Sequence, residues 1–148
     1  MAHSDRPAAV ELTVRTNTDP GFYQVMGPHL ASHTVHKALG GPPWDEDGKV
    51  WVTAGADGEP ALGFVGVVLL KNGTGRVESL YTVPDRRDTD LAQRLVAAVV
   101  QAAGPRRLRA VVPPQFVGAY TAAGFATTAV PDKYARMHRD PDPTEQPT

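Results

Sequence analysis

Apolar and polar side chains alternate along residues 9–15 (AVELTVR), the pattern of a half-buried strand. Helical spacing follows. Asp19-Pro20 reads as an N-cap and first helical residue, with Phe22, Val25 and Met26 on the buried stripe. Gly27-Pro28 is expected to end this helix, and Pro28 to open a second one running to about residue 39, which Gly40-Gly41-Pro42-Pro43 stops. Residues 49–54 (KVWVTA) form the next predicted strand, and Asp57-Gly58 a turn. A longer apolar strand spans 61–71 and contains Gly63 and Gly66. Asn72-Gly73 is a hairpin signal, so a strand over 76–83 is expected to pair antiparallel with it. Residues 91–103 are helical, with Leu91, Leu95, Val96 and Val99 on one face, and Gly104-Pro105 ends the run. A strand over 108–112 and a short helix over 114–123, closed by Gly124, come next. Residues 125–129 and 134–138 read as closing strands joined through Pro131-Asp132. The order β-α-α-β-β-β-α-β-α-β-β predicts an α/β (α+β) fold: a central, mixed, twisted sheet of six to seven strands with helices on both faces.

The 148 residues suffice for one domain with a proper core, assigned to 9–139. Residues 1–8 and the polar, proline-rich stretch 140–148 are expected to be disordered. The longest apolar runs, 64–70 and 95–100, are too short to cross a bilayer, and the first ten residues lack the apolar core of a signal peptide. A soluble, cytoplasmic protein without membrane contact is therefore expected. The balance of 15 Lys+Arg against 16 Asp+Glu gives no pull toward nucleic acid. With no cysteine, disulfides, thiolate–metal sites and a cysteine acyl-enzyme are excluded.

Residues 78–95 (ESLYTVPDRRDTDLAQRL) carry the most chemistry. A strand, a proline break, an arginine pair and an amphipathic helix succeed one another. A helix start leaves N–H groups unpaired and carries partial positive charge, so this junction suits a phosphate. The segment resembles the acyl-CoA-binding motif of the GNAT N-acetyltransferase superfamily. That motif is a strand ending Leu-Tyr-Val-x-Pro, then Arg/Gln-x-x-Gly-x-Gly/Ala opening a helix. Here it stands as Leu80-Tyr81-Thr82-Val83-Pro84, then Arg87-Asp88-Thr89-Asp90-Leu91-Ala92. Tyr120, followed by Gly124-Phe125, is similar to the family's Tyr-x-x-x-Gly-Phe helix end.

The resemblance implies acetyl-CoA as acyl donor, the primary amine of a small molecule or protein as acceptor, and direct attack of the amine; no metal is expected, since three histidines on one straight helix converge poorly on one ion. It also implies that the strand holding Leu80, Tyr81, Thr82 and Val83 splays from its parallel neighbour and binds the pantetheine arm through its main chain. The diphosphate then falls on residues 87 to 92, with charge from Arg86 and Arg87. Tyr120 is implied as the acid that protonates the departing thiolate, and Glu78 is the nearest match to a glutamate base. The family commonly dimerises, which leaves a homodimer open.

Asp90 stands where the family has its first glycine, and Asp90-x-x-Gln93 fits a capping box. Either its carboxylate occupies the helix-start amides as an internal anion mimic, or it turns to solvent while Arg87 compensates. Asp88 adds a second negative charge, and Pro113-Pro114 replaces an asparagine frequent in the family. A second function therefore stays open: a GNAT-fold protein with weakened or lost acetyl-CoA binding, acting as a non-catalytic ligand- or partner-binding module.

For the acceptor side, His29, His33 and His36 share one face if they lie on one helix, and His29 or His33 then offers a substrate contact. A solvated face is the plainer account. Trp44, with Asp45, Glu46 and Asp47, forms either a cation-recognising loop or a polar turn. Arg106, Arg107 and Arg109 reach the 3′-phosphate of CoA or nothing.

Overall fold

The computed structural model describes residues 10–39, 41, 43, 45–56, 58–86, 90–130 and 133–141. The elements are β1 (Leu12–Arg15), α1 (Phe22–Leu30), α2 (His33–Leu39), β2 (Val50–Ala54), β3 (Gly63–Leu69), β4 (Gly75–Thr82), α3 (Leu91–Ala103), β5 (Leu108–Val112), α4 (Val117–Ala122), β6 (Ala126–Ala129) and β7 (Ala135–Arg139). Short 3-10 turns at Pro84–Arg86 and Pro114–Phe116 precede α3 and α4. The strands form one seven-stranded sheet in the order β1-β2-β3-β4-β5-β7-β6. Every neighbouring pair is antiparallel except β4 and β5. This is the expected mixed sheet. No helix among the described residues is long and apolar enough to cross a membrane.

Helix α3 supplies most of the core on one face. Leu91, Leu95, Val96, Val99, Val100 and Ala103 recur at helical spacing and are buried. They pack against Val52, Val65, Val67, Leu108 and Met137 of the sheet, with Tyr120 and Phe125 from the α4 region. A Cβ at Gly63 would meet the Leu95 and Leu91 side chains at 3.0 and 3.3 Å, so the glycine is what lets α3 lie this close. On the other face α1 and α2 cover a second cluster of Phe22, Met26, Val35, Trp51, Phe64 and Tyr81.

The first helical region differs from expectation. The carboxylate of Asp19 accepts the Thr16 N–H at 2.8 Å and does not cap a helix. Gly21, at φ 83°, turns the chain, and α1 begins at Phe22. Gly27-Pro28 does not break the helix. Pro28 lies in the last turn, where its missing N–H costs one bond, to Gln24, itself exposed. The break comes at Ala31-Ser32. Ser32 then caps α2, its Oγ accepting the Val35 N–H at 3.3 Å.

Strand β4 departs from simple alternation. Phe64 pairs with Tyr81 and Gly66 with Glu78, so Ser79 and Leu80 together oppose Val65. Ser79 sits at φ 64°, the one non-glycine residue with positive φ among the described residues. This bulge points Val77 and Leu80 toward α3, and Glu78 and Tyr81 toward α1 and α2. Strict alternation would place Glu78 on the face of Leu80 and Thr82; the bulge puts it on the opposite one. A β-branched residue fits the left-handed conformation poorly. Ser79→Val is expected to lower the free energy of unfolding by about 1–2 kcal/mol. Ser79→Gly is expected to stay within about 1 kcal/mol of wild type. Urea denaturation checks both, and equal loss in the two variants would argue against backbone strain at this position.

Candidate active site

The parallel pair β4–β5 is joined at two positions, Gly75↔Leu108 and Arg76↔Arg109. Beyond them β4 runs on to Thr82 and β5 to Val112 without pairing. The strands therefore diverge, and a cleft of about 1050 Å³ opens between them. Glu78, Ser79 and Leu80 line one wall, Ala110 and Val111 the other, with Phe116 and Tyr120 also at the lining. The Val83 N–H bonds to the Leu62 carbonyl at 2.9 Å, and Tyr81 opposes Phe64. In an antiparallel ladder alternate residues turn their main-chain groups to opposite sides. Tyr81 and Val83 thus face β3, while Leu80 and Thr82 face the widening gap.

Of the four residues expected along the pantetheine arm, Leu80 lines the cleft. The Tyr81 ring instead stacks near Phe64 and His29, with centroids 5.4 and 5.7 Å away. Thr82 is buried, and Val83 is half-buried with its N–H committed to β3. Arg86 is half-buried in the turn before α3. Arg87, Asp88 and Thr89 lie outside the described residues. Leu91 is core, and Ala92 packs against it. Asp90 directly precedes α3, is exposed, and makes no side-chain cap bond. At φ −82° and ψ 11° its backbone is not in the extended conformation that aims a carboxylate at the first-turn amides. Of the two alternatives for Asp90, the capping box with Gln93 is absent, and the residue is exposed.

Glu78 stands between two cations. Its Oε1 is 3.1 Å from Lys49 Nζ and its Oε2 is 3.5 Å from Arg76 Nε. The Lys49 side chain has no solvent exposure, whereas that of Glu78 keeps 27%. Lys49 reaches Glu78 by crossing the backbone at Gly66, where any Cβ would collide with it. Its ammonium lies 4.1 Å from the Trp51 ring centroid. Burial lowers the Lys49 pKa, and the neighbouring Glu78 opposes that shift. Tyr120 is 3% exposed, and its phenol is pushed well above the usual range, first by burial and then by the charge of Glu78. Tyr120 lies on the α3 side of the sheet and Glu78 on the α1–α2 side, yet both line one cleft. Lys49 and Arg76 had no part in the sequence reading. The available signal was Gly66 inside an apolar strand, which marks a close approach.

The three histidines do not share one helix. His29 ends α1, buried, with Nε2 2.6 Å from the Ala61 carbonyl. His33 is exposed at the start of α2, and His36 Nε2 is 2.7 Å from the Leu30 carbonyl. None of the three lines the cleft. Trp44 lies outside the described residues. In the acidic loop Asp45 accepts the Tyr23 hydroxyl at 2.8 Å and Asp47 accepts from Asn17 at 3.1 Å, so both serve the loop itself. Of the arginine cluster, Arg106 donates to the Ala103 carbonyl and Arg107 pairs with Asp140, while Arg109 and Arg107 line the cleft. No group of three metal-binding side chains occurs among the described residues.

Among known proteins, the Acetyltransferase (GNAT) family matches residues 22–125. No curated protein matches the chain by sequence. Its structure is similar to Escherichia coli ElaA, with a TM-score of 0.68 at 11% identity, covering 89% of this chain and 100% of that one. It is also similar to an acyl-CoA N-acyltransferase from Pseudomonas aeruginosa, with a TM-score of 0.66 at 16% identity, covering 88% and 99%. A third is the aminoglycoside acetyltransferase AAC(6')-Ib in complex with coenzyme A, with a TM-score of 0.60 at 17% identity, covering 89% and 95%. At such identities the likeness is one of fold. The family match spans well over half of the sequence, and the diverging parallel pair sits at the centre of the sheet: the chain belongs to the GNAT family of acetyltransferases.

Proposed function

We propose that this protein transfers an acetyl group from acetyl-CoA to a primary amine by direct attack. The observation that carries the reading is the cleft between β4 and β5, with Glu78 lining it from one face of the sheet and Tyr120 from the other. The pantetheine arm runs along β4 through main-chain bonds at Leu80 and Thr82. The diphosphate meets the first turn of α3, around Ala92. The amine nitrogen attacks the thioester carbonyl carbon and the C–S bond breaks. Glu78 takes the proton lost by the amine, and Tyr120 gives its phenolic proton to the departing sulfur.

The two proton transfers help each other. The Glu78 carboxylate is one cause of the raised Tyr120 pKa. Once Glu78 is protonated that repulsion vanishes, and the phenol becomes a better donor as the thiolate forms. Lys49 and Arg76 hold the carboxylate in place before reaction. A binding module without turnover needs the cleft but has no use for a carboxylate clamped between two cations beside a buried phenol. That arrangement favours the enzyme.

Isothermal titration with acetyl-CoA tests the reading first: saturable binding is expected, and none at millimolar ligand would overturn it. With an acceptor in hand, Tyr120→Phe and Glu78→Gln are each expected to lower kcat by roughly 10²–10⁴-fold, with the acetyl-CoA dissociation constant little changed. Lys49→Met is expected to lower kcat by about tenfold with the acetyl-CoA dissociation constant little changed, because the ammonium that holds the Glu78 carboxylate in place is lost. An unchanged kcat would leave Lys49 with a structural role alone. Because the Asp90 side chain caps nothing, Asp90→Gly is expected to change acetyl-CoA affinity by less than about fivefold. A larger gain would restore the anion-mimic account.

A further inference from the structure

We infer that the acceptor is zwitterionic: an amine that carries a compact anion, carboxylate or phosphate, which Arg109 and Arg136 receive. The inference rests on the transferase reading and deepens it. The buried cluster under α1 and α2 includes Tyr81 of β4 but no residue of β5, β6 or β7. On β5, the residue facing the same way, Val111, is 66% exposed. That open part of the sheet continues the cleft, and the register fixes what it displays. Arg76 is beside Arg109, Arg109 beside His138, and Val111 beside Arg136. All five line the cleft along with Glu78.

The charges there are unequal. Among the described residues, Arg76, Arg107, Arg109 and Arg136 line the cleft against one carboxylate, Glu78. Arg76 is engaged by Glu78 and Glu46, and Arg107 by Asp140. The guanidinium groups of Arg109 and Arg136 have no ion-pair or hydrogen-bond partner among the described residues. Both project from the face opposite α3 and Tyr120. Arg109 sits where the parallel strands meet, away from the end at which α3 begins, so neither lies on the path assigned to the donor diphosphate. From β4 to β7 is two strand spacings, about 10 Å, where the parallel strands pair, and more beyond Arg76, a gap that the long arginine side chains help to close. A short amino acid-like molecule bridges that span, with its amine at Glu78 and its anion at the guanidinium pair, where planar donors match carboxylate or phosphate oxygens. A polycation would bring like charge to two unpaired arginines.

The test compares 4-aminobutyrate and O-phosphoethanolamine with the neutral 4-aminobutanamide and with spermidine, in steady-state CoA release. We expect kcat/KM for an anionic acceptor to exceed that for the amide by about tenfold or more. Arg109→Gln and Arg136→Gln should raise KM for the anionic acceptors and narrow that gap. Equal values across the set, or preference for spermidine, overturns the inference, and the arm with the larger value separates carboxylate from phosphate. A second readout does not depend on turnover. The arginine Nε–Hε NMR signals of the full chain are titrated with the same compounds in the absence of acetyl-CoA. Saturable shifts at Arg109 and Arg136 with the anions, absent with the amide and absent at Arg94, support the site. Flat or uniform shifts reject it. Should acetyl-CoA fail to bind, the transferase reading falls while this titration still decides the anion site. If either Gln variant binds acetyl-CoA more weakly but dephospho-acetyl-CoA unchanged, the arginines serve the donor and the inference fails.

Discussion

The bulge at Ser79 is the constraint on which the site depends. A regular β4 would alternate strictly, and Glu78 would share its face with Leu80. With Ser79 in a left-handed conformation, two residues oppose Val65, and the alternation is reset between Glu78 and Tyr81. Val77 and Leu80 can then both serve the α3 core, while Glu78 and Tyr81 both serve the α1–α2 side. A bulge also bends its strand. β4 leaves β5 after Arg76, and the bulge lies within the stretch that lines the gap. One irregular residue thus places the carboxylate and keeps the core closed beneath it.

Keeping a lysine without solvent exposure is costly, since the desolvation penalty of a buried ion is several kcal/mol. Here the Glu78 carboxylate at 3.1 Å and the Trp51 ring offset it. Stability alone gives little reason to retain such a pair, because an apolar pair of similar volume commonly serves as well. Its consequence is geometric. Lys49 passes over Gly66 and cannot swing away, so it fixes the Glu78 carboxylate at the lip of the cleft.

Much of the fold was legible because its signals are local. The stripe Leu91-Leu95-Val96-Val99 defines α3, and Asn72-Gly73 defines the β3–β4 hairpin, where Gly73 adopts φ 86°. Leu80 and Tyr120 could be singled out because short motifs surround them, and both line the cleft. Two local signals did not suffice. Gly27-Pro28 signals a break, although a proline in the last turn of a helix sacrifices little, and the Ser32 cap gives the true boundary. Asp90-x-x-Gln93 leaves a capping and a solvent-facing carboxylate both open, because the choice depends on the φ and ψ of Asp90, which the spacing does not determine. What could not be read comes from contacts distant along the chain. Nothing near Ser79 announces a positive φ in a non-glycine residue. The meeting of Lys49 with Glu78, and of Arg109 with His138, exists only through strand register.

The same distinction separates the two halves of the proposed reaction. The donor half relies on main chain: strand edges at Leu80 and Thr82, and the amides at the start of α3. Main-chain groups are present whatever the side chains, so this half tolerates a sequence that departs from the family pattern at Asp90. The acceptor half relies on side chains brought in by register from four strands or their approaches: Lys49, Glu78, Arg109 and Arg136. A substitution at Arg109 or Arg136 alters charge without disturbing the sheet, since both are exposed. For that reason the proposed choice of acceptor rests on the arginines across the open sheet face more than on the helix-start motif.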